Sequence, residues 1–243
     1  MNVTALQQVQ NNKINKYSNN PVELLKWIEN NLPNERVIMG TGFGPPGIVL
    51  LDLLFQVTKD ISVFYIDTGF LFDQTYDLKN KLEERYGLKF LRFSTELTPE
   101  NQADQYGQKL WETNPDSCCN IRKVVPLKAA LKNYDVWITG IRKKQTQIRN
   151  QSDLIEFESR FEVIKINPLI EWTHDEVWNY IKANNLPYNP LHDSSYPSIG
   201  CKQCTSPVCA GEDDRSGRWK GTSKTECGLH KSENISINTL KGK

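Results

Sequence analysis

No cysteine precedes Cys118 in this chain of 243 residues; Cys119, Cys201, Cys204, Cys209 and Cys227 follow it. An apolar signal core is also missing, because the opening MNVTALQQVQNNKINKYSNN is polar throughout. A cytoplasmic location is therefore expected, and six thiols there argue against a disulfide framework. Their uneven placement points instead to ligands and chemistry gathered by folding. Excess charge of either sign is lacking too. With 30 Lys and Arg against 29 Asp and Glu, the formal net charge is +1. No global field would draw in nucleic acid or a membrane surface, so neither partner is expected and anion binding must come from local clusters. No apolar run approaches the roughly 20 residues that span a bilayer, and there is no internal repeat or low-complexity tract.

What is present is an alternation of strands and helices. Arg36–Met39, Ile61–Ile66, Leu88–Phe93 and Asp135–Thr139 read as strands. Helices are expected from Val22 to Asn31, Ile48 to Val57, Asp73 to Tyr86 and Cys118 to Leu131. That order implies parallel βαβ units in a doubly wound α/β sheet. Beyond Gly140 a basic loop runs to Asn150, and Leu154–Glu158 with Phe161–Ile166 suggests a hairpin. Thr173-His174-Asp175-Glu176 is a capping box opening a helix to about Ala183. The domain plan is a polar leader over 1–20, an α/β domain over 21–200, and a C-terminal segment over 201–243.

The strongest chemical signal is Cys118-Cys119 with Cys201-x-x-Cys204. Adjacent residues on a helix point about 100° apart, which suits two bonds to one tetrahedral zinc poorly. Different irons of a [4Fe–4S] cube accept them more easily. Iron–sulfur cluster, zinc and a redox thiol pair all stay open on residue chemistry alone. Arg122 and Lys123, one turn further on, offer cations to a negatively charged cluster or simply face solvent. Cys209 reads as a small, partly buried residue.

Three segments are candidates for anions. Gly40-Thr41-Gly42-Phe43-Gly44-Pro45-Pro46-Gly47 supplies free backbone N–H groups before a helix but has no Walker lysine. Arg142, Lys143, Lys144 and Arg149 follow a strand's carboxyl end, where open α/β sheets bind ligands. Arg215, Arg218 and Lys220 surround Trp219, and arginine forks suit phosphate and sulfate oxygens.

Taken together, Cys118-Cys119-Asn120-Ile121-Arg122-Lys123, His192-Asp193-Ser194-Ser195-Tyr196-Pro197-Ser198-Ile199-Gly200-Cys201-x-x-Cys204-Thr205, Gly217-Arg218-Trp219 and Glu226-Cys227-Gly228-Leu229-His230 resemble the assimilatory adenylyl-sulfate / phosphoadenylyl-sulfate reductases of iron–sulfur type. The resemblance implies a Rossmann-like PP-loop fold, a parallel twisted sheet with helices on both faces. It implies a [4Fe–4S] cluster on Cys118, Cys119, Cys201 and Cys204, with Lys123 paired to it. Thr41, Gly42, Phe43, Gly44, Asp67, Thr68 and Gly69 would hold the nucleotide. Arg142, Lys143, Gln145, Thr146 and Arg149 would lie over the substrate, Arg215 and Arg218 would close on the phosphosulfate, and Cys227 would be the nucleophile. The family's first loop usually continues Ser-Phe-Gly or Ser-Phe-Gln into Ala-Glu-Asp. Here Gly42-Phe43-Gly44 runs into Pro45-Pro46-Gly47, so a hydroxyl and two carboxylates are missing.

The implied reaction is attack of the Cys227 thiolate on the sulfur of adenylyl sulfate, giving AMP and an S-sulfocysteine. A thioredoxin or glutaredoxin-like dithiol then releases sulfite, in assimilatory sulfate reduction toward cysteine. Gly221-Thr222-Ser223-Lys224-Thr225 would be the hinge of the tail. All four ligand positions are present, so adenylyl sulfate is expected over phosphoadenylyl sulfate, with acceptance of both as the alternative. A homo-oligomer is expected. Two rivals differ in class: a tRNA-thiolating PP-loop enzyme, whose Ser-Gly-Gly-x-Asp-Ser loop is missing here, and a non-enzymatic zinc module.

Overall fold

The computed structural model describes residues 14–230 and 235–236. The leader expected over 1–20 lies outside the described residues as far as residue 13, and so do 231–234 and 237–243 of the tail.

Seven strands form one sheet: β1 (Val37–Gly40), β2 (Ser62–Asp67), β3 (Leu91–Ser94), β4 (Val136–Ile138), β5 (Ile155–Glu158), β6 (Val163–Ile166) and β7 (Ile235–Ser236). Their order is β3-β2-β1-β4-β6-β5-β7. The first five in that order run parallel, and β5 and β7 are antiparallel additions. The strands alternate apolar side chains between two buried clusters. Val37, Met39, Val63 and Tyr65 face one, and Ile38 and Phe64 face the other. Helices α1 (Pro21–Asn31), α2 (Pro45–Val57), α3 (Asp73–Tyr86) and α8 (His174–Ala183) cover the first face, and α7 (Val125–Leu131) covers the second. This is the Rossmann-like sheet with helices on both faces that the alternation implied.

Between β1 and β4 the strand order reverses, the position at which open α/β sheets bind ligands outside the strands' carboxyl ends. The loops after β1 and β4 touch there. A Cβ on Gly140 would lie 3.2 Å from the Gly47 nitrogen and the Pro46 oxygen, so only glycine lets the loop after β4 rest on the first turn of α2.

Several boundaries depart from expectation for local reasons. Helix α2 starts at Pro45 rather than Ile48, because the two prolines sit at its first positions, where they cost no hydrogen bond. The segment after β3, with no element expected, carries α4 (Pro99–Tyr106) and the single turn α5 (Leu110–Thr113). Thr98 caps α4 by accepting from the Asn101 N–H. The helix expected over Cys118–Leu131 is divided into α6 (Pro115–Cys119), a π turn (Asn120–Val124) and α7. Pro126 explains the division. It has no N–H for the carbonyl four residues back, and its ring crowds that carbonyl, so the turn widens. The hairpin and the Thr173–Glu176 capping box form as expected.

Candidate active site

The loop after β2 joins the sheet to the cysteines. Leu71 forms an antiparallel bridge with Cys201, and the Lys202 N–H donates to the Phe70 carbonyl at 2.7 Å. That bridge carries the Cys201–Cys204 turn to the end of α6. Cys118, Cys119, Cys201 and Cys204 then line one pocket, walled by Phe70, Trp111 and Pro115 and bordered by Arg122 and Lys123. All six cysteines are free thiols. Burial pushes the Cys118 thiol up to about 11 and that of Cys204 up to about 12, with neighbouring cysteines adding to the effect.

Can this pocket hold a metal centre? Among the described residues, no three His, Cys, Asp or Glu side chains stand close enough together to hold one ion. A tetrahedral zinc needs sulfurs about 2.3 Å from a single point. The four thiols here surround a pocket instead of converging, an arrangement suited to a multinuclear group with apolar walls. The charge agrees. Arg122 is 2% exposed; it donates through Nε to Gln102 Oε1 at 2.6 Å and through Nη1 to the Thr68 carbonyl at 2.8 Å, while its Nη2 has no partner. Lys123 is buried, and although burial opposes its charge, Cys201, Cys227 and Cys119 raise its pKa. A buried ammonium among cysteine sulfurs fits a negatively charged thiolate-bound group.

The tail brings the remaining cations. Trp219 is buried, with a left-handed φ of 49°. Arg218 lies 4.6 Å from its ring centre, and Lys224, Arg215 and Lys123 lie 5.7, 5.8 and 5.9 Å away. Lys220, expected beside Trp219, is exposed, while Lys123 and Lys224 lie near the ring. Lys224 also pairs with Asp116 on α6. The indole face attracts each cation without the desolvation that a carboxylate would bring. Glu226 pairs with Arg149 and Arg215. From the hairpin side, Arg160 donates to the carbonyls of Gly228 and Leu229 at 2.7 and 3.1 Å. Half-buried Cys227 is fixed between these anchors. Burial and Glu226 act to raise its pKa, but Lys123, the Leu229 N–H and Arg149 prevail and hold it below the ordinary thiol value. His230 stacks on Trp137 at 5.2 Å, and burial with four nearby cations keeps it neutral.

The other expected residues are distributed unevenly. Thr41 is buried and accepts from the Phe43 N–H, which fixes the loop, while the Phe43 ring packs in the core against Tyr65 and Phe90. Gly42 and Gly44 have open space where a side chain would be. Asp67 accepts from the Gly69 N–H, Tyr76 Oη and Arg92 Nε. The Thr68 hydroxyl lies 3.4 Å from Cys201 Sγ, so it belongs to the cysteine pocket. Arg142 donates to the Trp172 carbonyl and keeps a buried Nε without a partner; Lys143 pairs with Glu171. Gln145 accepts from Arg149, and Thr146 donates to Glu226. Nε of Arg215 and of Arg218 and Nε1 of Trp219 are likewise buried without hydrogen-bond partners among the described residues. Gln102, Glu226 as an ion-pair partner and Arg160 are residues that motif reading missed. Only the Thr98-Pro99 helix start hinted at Gln102.

Two expected outcomes follow from these contacts. Burial acts against the Asp67 carboxylate, but its three donors outweigh it and lower the pKa. The native pKa therefore lies below the unfolded one. The stabilisation is complete above the unfolded value near 4 and is lost as pH falls through the native value. Asp67→Asn should cost about 1.5–3 kcal/mol at pH 7, and the gap should close in acid; urea denaturation at pH 7 and pH 3 checks both. An equal gap at the two pH values would refute it. Gly200 makes room for Arg218, since a Cβ there would lie 2.5 Å from its Cζ. Gly200→Ala should cost about 1–2 kcal/mol by expelling the guanidinium. Adding it to Arg218→Ala should cost almost nothing more, and additive losses in a double-mutant cycle would show that the clash lies elsewhere.

The match to known proteins agrees with this geometry. Residues 36–207 match the model of the phosphoadenosine phosphosulfate reductase domain. The adenosine 5'-phosphosulfate reductase of Halalkalibacterium halodurans is 45% identical over 226 residues, 92% of this chain and 97% of that one. The crystal structure of phosphoadenylyl-sulfate reductase from Candida auris, a phosphate complex, superposes with a TM-score of 0.68 at 34% identity, covering 80% of this chain and 96% of that one. The FMN adenylyltransferase of Candida glabrata, 14% identical with a TM-score of 0.55 over 91% of this chain and 80% of that one, shares the fold alone. With its cysteine pocket and its docked tail, this chain belongs to the phosphoadenosine phosphosulfate reductase domain family.

Proposed function

We propose that the protein reduces adenylyl sulfate to sulfite and AMP, with Cys227 as nucleophile and a thioredoxin-type dithiol as reductant, in cytoplasmic sulfate assimilation. One observation carries the reading: the buried Lys123 borders the cysteine pocket and interacts electrostatically with Cys201 and Cys119 of that pocket and with Cys227 of the tail, so pocket and proposed nucleophile share this cation. The 45% identical relative named for the 5'-phosphosulfate supports adenylyl sulfate over its 3'-phosphorylated form.

The nucleotide enters outside the carboxyl ends of β1 and β4. Arg142, Arg215 and Arg218 each keep an Nε donor without a partner among the described residues, and guanidinium donors match sulfate and phosphate oxygens. Lys123 lowers the Cys227 pKa and so favours the thiolate, the reactive form. Cys227 Sγ forms a bond to the sulfur of the sulfonate as the S–O bond to the nucleotide breaks. AMP leaves with that electron pair, and Cys227 carries an S-sulfonate. A thiolate of the dithiol then attacks Cys227 Sγ, sulfite departs, and the second thiol resolves the mixed disulfide. Cys227 is regenerated and the dithiol supplies both electrons, at a potential of about −270 mV for thioredoxin.

Cys118, Cys119, Cys201 and Cys204 are the residues that would hold a [4Fe–4S] cluster, which when bound supplies negative charge opposite Lys123 and rigidity beside the substrate.

Protein purified without oxygen should contain about four irons and four acid-labile sulfides per chain, and Cys118→Ser should lose both. Stoichiometric zinc without sulfide would exclude the cluster. Cys227→Ser should keep the iron and release no sulfite. Wild-type protein given adenylyl sulfate without a dithiol should gain one SO3 group on the peptide containing Cys227; sulfonation on Cys209 would refute the assignment.

A further inference from the structure

We propose that Glu226 is a positioning residue for Cys227, seating the nucleophile by pairing its carboxylate with Arg149 and Arg215; the proposal rests on the reductase reading above. Glu226 is 8% exposed, although Ser223 and Thr225 nearby face solvent. Its Oε2 accepts from Arg149 Nη2 at 3.2 Å and lies 3.3 Å from Arg215 Nη2. Its Oε1 lies 3.0 Å from Arg149 Nε and accepts from Thr146 Oγ1 at 3.3 Å.

The two arginines come from different places. Arg149 belongs to the basic loop, fixed by its own Nη1 donating to Gln145 at 2.7 Å. Arg215 belongs to the tail and donates through Nη2 to the Thr225 carbonyl at 3.0 Å. One carboxylate therefore folds residues 215–226 into a closed loop and ties that loop to the body. While the tail is docked, Arg149 Nη2 donates to Glu226, its Nε lies within ion-pair distance of the same carboxylate without a hydrogen bond, and Nη1 donates to Gln145. Arg149 then acts on the tail, and not as an open fork for the nucleotide.

Cys227 follows Glu226 directly, so a shift of the carboxylate is passed on through one peptide unit. On its other side, Arg160 holds the carbonyls of Gly228 and Leu229. The nucleophile is thus suspended between a side-chain anchor and a backbone anchor. Only the first depends on residue type at position 226. A misplacement of about 1 Å is enough to cost on the order of a hundredfold in rate.

The experiment uses the full chain as wild type, Glu226→Gln and Glu226→Asp. Hydrogen exchange of the peptide covering 226–230 is followed without nucleotide, and kcat and KM are measured with adenylyl sulfate. In Glu226→Gln, exchange should quicken about tenfold and kcat should fall about tenfold or more, with KM within about threefold. Glu226→Asp keeps the charge and should recover part of both losses. Unchanged exchange in Glu226→Gln would overturn the proposal, as would faster exchange with unchanged kcat. A lower KM at full kcat would also overturn it, because Glu226 would then be a competitor for the anion site. If wild type fails to turn over adenylyl sulfate while the exchange difference persists, the reductase reading falls and the docking contact stands.

Discussion

Positive charge gathered around one buried indole, with Glu226 and Asp116 as the carboxylates paired to it, is the constraint on which the tail of this molecule depends. Buried Lys123 and half-buried Arg215, Arg218 and Lys224 lie around Trp219, and Arg122 and Arg142 are buried as well. Charges removed from water destabilise the fold unless something answers them. Three kinds of partner do so here: the cysteine sulfurs beside Lys123, the aromatic face of Trp219, and the carboxylates of Glu226 and Asp116. The Nε donors of Arg142, Arg215 and Arg218 are still left buried without a hydrogen-bond partner among the described residues. An oxyanion there meets ready donors at little reorganisation cost, the condition for electrostatic stabilisation of a charged reaction.

The same constraint explains why the tail docks although its composition is polar. Little apolar area is gained: Trp219 is buried and Leu229 packs against the cluster of Trp137 and Phe64. The rest of the attachment is ionic or hydrogen-bonded, through Lys224 to Asp116, Glu226 to Arg149 and Arg160 to two carbonyls. Such contacts weaken steeply with distance and with water entry, so the attachment is strong when closed and easily released. The proposed reaction, in which the tail meets a nucleotide and then a reductant, would use that behaviour.

How much was legible in the sequence depends on how local the cause is. The first four strands and the Thr173–Glu176 helix start follow from apolar alternation and caps, both readable within a few residues. Helix α4 escaped because PENQADQY has no apolar stripe; its one buried residue, Gln102, is polar and faces Arg122. The π turn escaped because a proline at position 126 can end a helix or widen it, and packing decides between them. The gathering of Cys118, Cys119, Cys201 and Cys204 was suggested by their spacing and by the family resemblance. The Leu71–Cys201 bridge that brings the second pair in spans more than a hundred residues and has no local signature. Basic residues were visible as clusters, but their partners were not. Lys143 answers Glu171, Arg149 answers Glu226, and Lys220, adjacent to Trp219 in sequence, faces solvent.

The β5–β6 hairpin shows how the sheet itself serves this arrangement. Lys165 and Glu156 pair at 3.0 Å with side chains 0% and 3% exposed, and Glu158, fully buried, binds Arg160. Hydrophobic residues would build a hairpin at lower desolvation cost. The ionic version does something they cannot. Glu158 orients Arg160 through Nε and Nη2, which leaves Nη1, with Nη2 also shared, to meet the Gly228 and Leu229 carbonyls. An isolated arginine would hold those carbonyls only after losing the rotamer freedom of its long side chain. With Glu158 holding it, Arg160 is already oriented to receive those carbonyls when the tail docks. The register of an antiparallel pair thereby reaches Cys227 through two side chains, and stability given up inside the sheet is returned as order at the site.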